Sequence, residues 1–389
     1  MSIENIASDV FTQLSWFRRD RVAAARVMVV GCGALGNEVL KCLVQFGIEH
    51  LVIVDFDHVE PENLTRSVFF TIDDAINSKR KVDAVAERLT MMNPDIEVET
   101  IFGDIAYDVG LGLIKSMDVV IACVDNRWAR YCINRHCMRA GIPWVDGGID
   151  TLEGTARVFV PGQNCYACNL GPEGLRDLAY RMPCAGTVKR NIAAGKAPTT
   201  SITASVIAAV QVQEALKLLH PQALAEGRLT SLVGKMFCYE GQHLSTRTVA
   251  FKAYDDDCAV HEQWTPVART PLTPAVTVAE TLAWIDRQMN MEQPSIMLCD
   301  DCFVDYVALR SDNTETSVMC PGRAVADAVA RHEQLRHAPL SGIYQHEYRE
   351  ISRLFPYQQL TLAQLGIPGR AVLPVSSTGG EHYIELSGV

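Results

Sequence analysis

The sequence predicts an α/β protein: a Rossmann-like, mostly parallel sheet followed by a small α+β domain. Three observations carry this. Apolar runs alternate with amphipathic helical stretches from residue 26 to about 148, and the first run enters Gly31-Cys32-Gly33-Ala34-Leu35-Gly36. The pattern then changes beyond 262–275, a stretch with three prolines that reads as a linker. Continuous apolar strands between helices imply a sheet covered on both faces.

The elements follow in order. Residues 1–25 are read as an arm in which Leu14-Ser15-Trp16-Phe17 precedes three arginines, Arg18, Arg19 and Arg21. It is either a solvated helical turn or a device that presents an arginine to an anion. Strands are expected at 26–31, 50–55, 96–102, 117–123 and 142–146, with helices at 37–45, 78–91 and 129–140. The helix 201–219 is apolar nearly all round, which places it in the core or in a subunit contact. The domain 26–265 ends near the linker. In 266–389, Thr277 and Glu280 form a capping box before a helix to 289, and strand-like runs follow at 295–299, 303–309, 371–376 and 382–386. A second box pairs Thr361 with Gln364.

Composition narrows the function classes. The 389 residues are 48% hydrophobic and 21% charged, as in an ordinary globular protein. A net charge of -11 argues against a broad nucleic-acid surface. No eighteen-residue apolar run and no basic leader occurs, so neither a membrane span nor a signal peptide is expected. Thirteen scattered cysteines suit a reducing, cytoplasmic compartment with some thiols on metal better than a disulfide scaffold.

The chemistry gathers at the first strands. Glycines permit a tight turn and a close approach to phosphate at a helix N-terminus, and Asp55, ending the second strand, can hold ribose hydroxyls. On their own these describe any dinucleotide site. Asn63 and Arg66 follow in PENLTR, with Lys81 beyond, and VVIACVDN ends the fourth strand in Asp125 and Asn126. Each has an ordinary alternative: turn residue, surface charge, solvated lysine, helix cap. Together behind a glycine turn they suggest chemistry at phosphates.

Two cysteine motifs stand apart. Cys165-x-x-Cys168 can direct two thiolates at one ion, with Cys258-Ala-Val-His261 as its candidate complement. A redox pair or unliganded thiols are the alternatives. Cys299-x-x-Cys302, with Cys320 downstream, has no convincing fourth ligand and suits buried thiols. Cys184, in RMPCAG, lies near Arg181, Lys189 and Arg190, ahead of a crossover loop. It is read either as a half-buried thiol or as a reactive one.

Over about residues 18–262 the sequence resembles the E1-type activating enzymes, the ThiF/MoeB/HesA group. The matching text is VMVVGCGALGNEVLKCLVQFG, VDFDHVEPENLTRSVFF, KRKVDAVAERLTMMNP, CVDNRWAR, WVDGGI and EGTARVFVPGQNCYAC. The resemblance implies ATP and Mg²⁺, and adenylation of the C-terminal glycine of a ubiquitin-like or sulfur-carrier β-grasp protein. It implies that Gly31, Gly33 and Gly36 line the nucleotide site and that Asp55 holds the ribose. Asn63, Arg66 and Lys81 then contact the phosphates, and Asp125 organises Mg²⁺. Asp57 and Asn126 are placed with this group, and Lys79 competes with Lys81. Ser78 departs from the family pattern, which often has glycine before x-x-Lys. The resemblance further implies structural Zn²⁺ on Cys165, Cys168, Cys258 and His261, and transfer of the acyl group to Cys184 in some members. It also implies a homodimer in which an arm arginine, Arg18 by its position, reaches the neighbouring ATP. By analogy of position, 266–389 would recognise the carrier, a transfer enzyme or the other subunit. A nicotinamide oxidoreductase and a non-enzymatic scaffold remain the alternative readings.

Overall fold

The computed structural model describes residues 11, 13–171, 174, 199–298, 303–309, 315–316, 320–321, 343–377 and 380–388. Cys184, with its sequence neighbours Arg181, Lys189 and Arg190, lies outside them, as do Cys299 and Cys302. The described residues form two compact units. One draws on Met1–Ala106, Ile114–Asn169 and Ala197–Gln263, the other on Tyr107–Leu113, Leu170–Lys196 and Trp264–Val389.

In the first unit, β1 (Arg26–Val30), β2 (His50–Asp55), β3 (Glu97–Phe102), β4 (Val119–Ala122), β5 (Trp144–Asp150), β6 (Glu153–Phe159), β7 (Lys235–Glu240) and β8 (Ser245–Ala250) make one eight-stranded sheet, ordered β3-β2-β1-β4-β5-β6-β7-β8. The five strands from β3 to β5 are parallel, and β6 to β8 extend the sheet antiparallel. Strand order reverses beside β1, so the carboxyl ends of β1 and β4 flank the crevice where open α/β sheets take ligands. Its major helices are α1 (Ala34–Phe46), α2 (Lys81–Met92), α3 (Arg127–Ala140) and α4 (Ser201–Leu218). Val27, Val29, Leu51, Ile53, Val119, Ile121 and Val145 carry the strand side of its core, and Leu35, Val39, Leu40 and Leu43 the α1 side.

Helix α4 packs on α1, β5 and β6. It buries Ile207, Ala208, Val212, Ala215 and Leu216, whereas Ile202 and Ala209 face solvent. Its buried polar residues have work: Gln211 Nε2 donates to the Ala122 carbonyl at 2.9 Å, and Glu214 Oε2 accepts from Leu232 N at 2.7 Å. Of the two settings expected for this helix, the core accounts for its apolar face.

The second unit holds a five-stranded sheet, β15-β10-β16-β17-β9, from β9 (Val267–Thr270), β10 (Ser295–Met297), β15 (Glu350–Ile351), β16 (Val372–Ser377) and β17 (Gly380–Leu386). Between β10 and β15 in the chain, β11 (Phe303–Leu309), β12 (Glu315–Thr316), β13 (Cys320–Pro321) and β14 (Ile343–Tyr348) form a separate four-stranded sheet around β11. Helix α5 (Val278–Met289) starts at the Thr277/Glu280 capping box, in which Glu280 N donates to Thr277 Oγ1 at 3.2 Å. The stretch read as a linker therefore contains a strand. Val267–Thr270 pairs parallel with β17, while Pro266 and Pro271 flank the paired residues and leave its ladder intact. The Thr361/Gln364 box also forms, with Gln364 N donating to Thr361 Oγ1 at 3.2 Å, but it caps a turn instead of a helix. The Tyr107–Leu113 segment is tied to this unit: Gly112 N donates to the Arg370 carbonyl at 2.8 Å, and the Arg370 guanidinium donates to the Gly112 carbonyl at 2.7 Å.

The connection from β2 to α2 explains one peculiarity of the sequence. Residues 57–59 and 79–81 lie side by side, Val59 N donating to the Lys79 carbonyl at 2.8 Å and Lys81 N to the Asp57 carbonyl at 3.0 Å. The bend that permits this puts Ser78 at φ 45°, in the left-handed region that favours glycine. Ser78→Gly is expected to leave the fold intact and to raise stability by up to about 1 kcal/mol, as read by chemical denaturation. A clear loss of stability would show that the serine side chain is needed there.

Candidate active site and metal knuckle

The glycine turn is built by backbone approach. Gly31 N donates to the Val54 carbonyl at 2.8 Å and Cys123 N to the Val30 carbonyl at 2.7 Å, which stitches β1 to both neighbours. A Cβ on Gly31, whose φ is 95°, would lie 2.4 Å from the Cys123 carbonyl oxygen, and one on Gly36 would lie 1.9 Å from that of Gly31. No side chain fits at either position. A Cβ on Gly33, in contrast, would meet nothing within 4 Å, so that face of the turn is open.

Asp55 clamps this turn. Cys32 N donates to its Oδ2 at 2.6 Å and Asp57 N to its Oδ1 at 2.7 Å. Burial pushes the Asp55 carboxyl above its usual range, and Lys81 with the two N–H donors pulls the other way. A carboxylate has about four acceptor sites, so Asp55 keeps capacity for a ligand hydroxyl. Burial also raises the Cys32 and Cys123 thiols, which makes them poor nucleophiles.

Lys81 and Lys79 separate in space. Lys81 is buried, and its Nζ donates to Asp57 Oδ2 at 2.7 Å, beside the Asp55 clamp. Lys79 instead pairs with Glu87 on the outer side of α2 and lies 3.8 Å from Asp74. Only Lys81 joins the glycine turn. Asn63 is buried in the turn Pro61–Thr65, its Oδ1 accepting from Glu60 N at 2.9 Å. Arg66 closes that turn and donates to the Glu62 carbonyl at 3.1 Å. Asn37 ties the segment to α1: its Nδ2 donates to the Cys32 carbonyl at 2.7 Å, while its Oδ1 accepts from Phe69 N at 2.8 Å.

Asp125 is exposed just beyond β4. Asn126 next to it caps α3, its Oδ1 accepting from Ala129 N at 2.8 Å. Arg130 and the buried Asp146 fix this corner, and the motif reading passed over both. The Arg130 guanidinium donates to Asp146 Oδ1 at 2.9 Å, to the Val124 carbonyl at 2.7 Å and to the Gly147 carbonyl at 2.9 Å. Arg157 Nε donates to Asp146 Oδ2 at 2.8 Å. The signal was present: Arg130 follows Asn126 by one helical turn, and an acid inside the apolar run WVDGGI needs a counter-charge.

The arm is anchored through its backbone. Arg18 N donates to His220 Nε2 at 3.0 Å, and Phe17 stacks on the same imidazole at 5.7 Å. The Arg18 side chain is exposed and pairs with Asp20 at 3.1 Å.

The four knuckle residues come together. The donor atoms of Cys165, Cys168, Cys258 and His261 all lie within 4.8 Å of one another. The Cys165–Cys168 and Cys165–Cys258 sulfurs are 3.6 and 3.9 Å apart, and Cys168 Sγ lies 3.2 Å from His261 Nε2. A tetrahedral zinc with Zn–S bonds of about 2.3 Å has S···S edges of about 3.8 Å, so the set fits a closed four-coordinate ion. Burial pushes the Cys165 thiol up to about 12, a cost that a bound cation would reverse.

The model of the ThiF family matches residues 6–260. The chain is 33% identical over 240 residues to the SAMP-activating enzyme E1 of Haloferax volcanii, covering 62% of this chain and 81% of that one. It is 33% identical over 250 residues to adenylyltransferase and sulfurtransferase MOCS3 of Mus musculus, covering 64% and 50%. With ubiquitin-like modifier-activating enzyme 5 of Oryza sativa it shares 30% over 243 residues, covering 56% and 55%. The chain thus spans about half the length of the last two relatives. Among solved structures, E. coli MccB with succinimide superposes with a TM-score of 0.51 at 23% identity, over 63% of this chain and 68% of that one, a likeness of fold. No helix among the described residues is long and apolar enough to cross a membrane.

Removing the charge of Asp146 leaves Arg130 and Arg157 without their shared carboxylate. Asp146→Asn is expected to destabilise the protein by about 3–5 kcal/mol in chemical denaturation. A change below about 1 kcal/mol would mean that the two arginines find other partners.

Proposed function

The chain belongs to the ThiF family, and on that premise we propose that it is an E1-like adenylyltransferase. Its substrates are ATP and the C-terminal glycine of a ubiquitin-like or sulfur-carrier β-grasp protein. One observation carries the reading: a buried lysine, Lys81, is held by Asp57 against the clamp that shapes the glycine turn. A nicotinamide site uses such a turn and an acid such as Asp55, but gives a buried lysine no task. A triphosphate does. The names of the relatives, two activating enzymes and an adenylyltransferase, support the same reading.

The chemistry follows from charge. An ionised carboxylate oxygen of the carrier bonds to the α-phosphorus, the bond from that phosphorus to the bridging oxygen breaks, and pyrophosphate leaves with the electron pair. No proton has to move. The difficulty is negative charge meeting negative charge, which fixed cations relieve. Lys81 and Arg66 are the protein's cations for this task, with Asn63 as a polar contact. Gly31, Gly33 and Gly36 make room for the nucleotide, and Asp55 takes the ribose. Asp125, with Asp57 and Asn126 near the same strand ends, would hold Mg²⁺, which supplies further charge neutralisation. Zn²⁺ on Cys165, Cys168, Cys258 and His261 would be structural, since the protein fills every position.

The remaining parts of the proposal are a homodimer in which Arg18 gives up Asp20 for a neighbouring phosphate, transfer of the acyl group to Cys184, and partner recognition by residues 266–389 in a cytoplasmic setting.

The test is carrier-dependent exchange of labelled pyrophosphate into ATP, using small β-grasp proteins that end in Gly-Gly. Arg66→Ala and Asp125→Ala should each lose about two to three decades in rate. The same reactions on non-reducing gels should show a DTT-sensitive conjugate that Cys184→Ala lacks. Near-normal exchange in both site variants would contradict adenylation at this site, and an unchanged conjugate would exclude Cys184.

A further inference from the structure

Asn126, Arg130 and Asn134 fall at four-residue intervals on α3 and so share one face of it. The first stands beside Asp125, and the second grips Asp146 and the Val124 carbonyl. Asn134 is fully buried at the other end of the row. Its Oδ1 accepts from Tyr166 N at 3.0 Å, and Tyr166 lies between the thiols of Cys165 and Cys168. Its Nδ2 is buried without a hydrogen-bond partner among the described residues, an expensive state for an amide. The backbone N–H that its Oδ1 holds follows directly on Cys165, so the orphan Nδ2 belongs to an amide seated against the knuckle.

Charge counting says what that amide is for. Three thiolates, one neutral imidazole and a divalent zinc sum to one excess negative charge, placed here in a largely buried pocket. A thiolate in that state accepts an N–H donor, and metal sites are tuned by such outer partners. We infer that Asn134 is a positioning residue of the metal knuckle. Its Oδ1 holds the Tyr166 N–H, and its Nδ2 donates an N–H···S hydrogen bond to the metal-bound thiolate of Cys165. The inference rests on the zinc reading of the four donors. It also means that metal and α3 are coupled: the helix that begins beside Asp125 is keyed to the ion at its middle.

The experiment compares zinc affinity by competition with a chromophoric chelator, in the full-length wild type, Asn134→Asp and Asn134→Leu. The wild type should hold one zinc per chain. Asn134→Asp keeps an acceptor for Tyr166 N but removes the donor to sulfur, and Asn134→Leu removes both. Each should weaken zinc binding about 10- to 100-fold. Wild-type affinity in Asn134→Asp would overturn the inference, including when Asn134→Leu is weakened, because the residue would then act through Tyr166 alone. A second measurement needs no variant. In ¹⁵N-labelled wild-type protein loaded with ¹¹³Cd, the Asn134 side-chain amide protons should show scalar coupling to the metal; metal-loaded protein without that coupling would also overturn it. A wild type that takes up no metal would instead refute the zinc reading itself, a result told apart by the metal content.

Discussion

The structure depends on one close approach: Gly31 against the Cys123 carbonyl, with Gly36 against the carbonyl of Gly31. Gly31 sits where β1 lies between β2 and β4, at the reversal of strand order. Backbone meets backbone there, so the turn has no slack for side chains and its open face is lined by peptide groups and the start of α1. Asp55 locks it from the β2 side by accepting from Cys32 N and Asp57 N, and Lys81 is drawn in through Asp57. A turn with one open face and a buried lysine near its acid clamp is the outcome of these few hydrogen bonds.

On the β4 side the same constraint passes into α3. Cys123 carries the carbonyl that Gly31 meets, Asp125 follows two residues later, and Asn126 starts the helix. Arg130 then holds the Val124 carbonyl in place, using Asp146 as its counter-charge. Two half-buried arginines on one buried carboxylate are costly to desolvate, and they suit rigidity at a chosen corner better than raw stability. The knuckle lies further along the same helix through Asn134 and Tyr166. Glycine turn, acid-bearing corner and metal site therefore share a continuous set of rigid parts within one unit.

Much of this was legible in the sequence because it rests on local pattern. The apolar runs place β1 to β5 to within a few residues, and the glycine spacing marks the turn because only glycine tolerates the approach at Gly31 and Gly36. The four knuckle donors were legible as two short spacings, although about ninety residues separate the two in sequence. What escaped was decided by tertiary pairing. Val267–Thr270 reads as linker because its prolines flank a strand whose partner, β17, lies over a hundred residues away. Thr361 and Gln364 make their box without a helix to cap. Lys79 and Lys81 look equivalent in one dimension, and only the fold gives them different partners, Glu87 and Asp57. Arg130, Asp146 and Arg157 come from three elements, so no single motif contains them.

The most direct test of the account is nucleotide binding by isothermal titration calorimetry, because the glycine turn, the Asp55 clamp and Lys81 are all assigned to a triphosphate. ATP with Mg²⁺ should bind saturably to the wild type and NADH should not, and Gly36→Val, which puts a side chain into the Gly31 carbonyl, should lose ATP binding. Saturable NADH binding without ATP binding would contradict the account at its root.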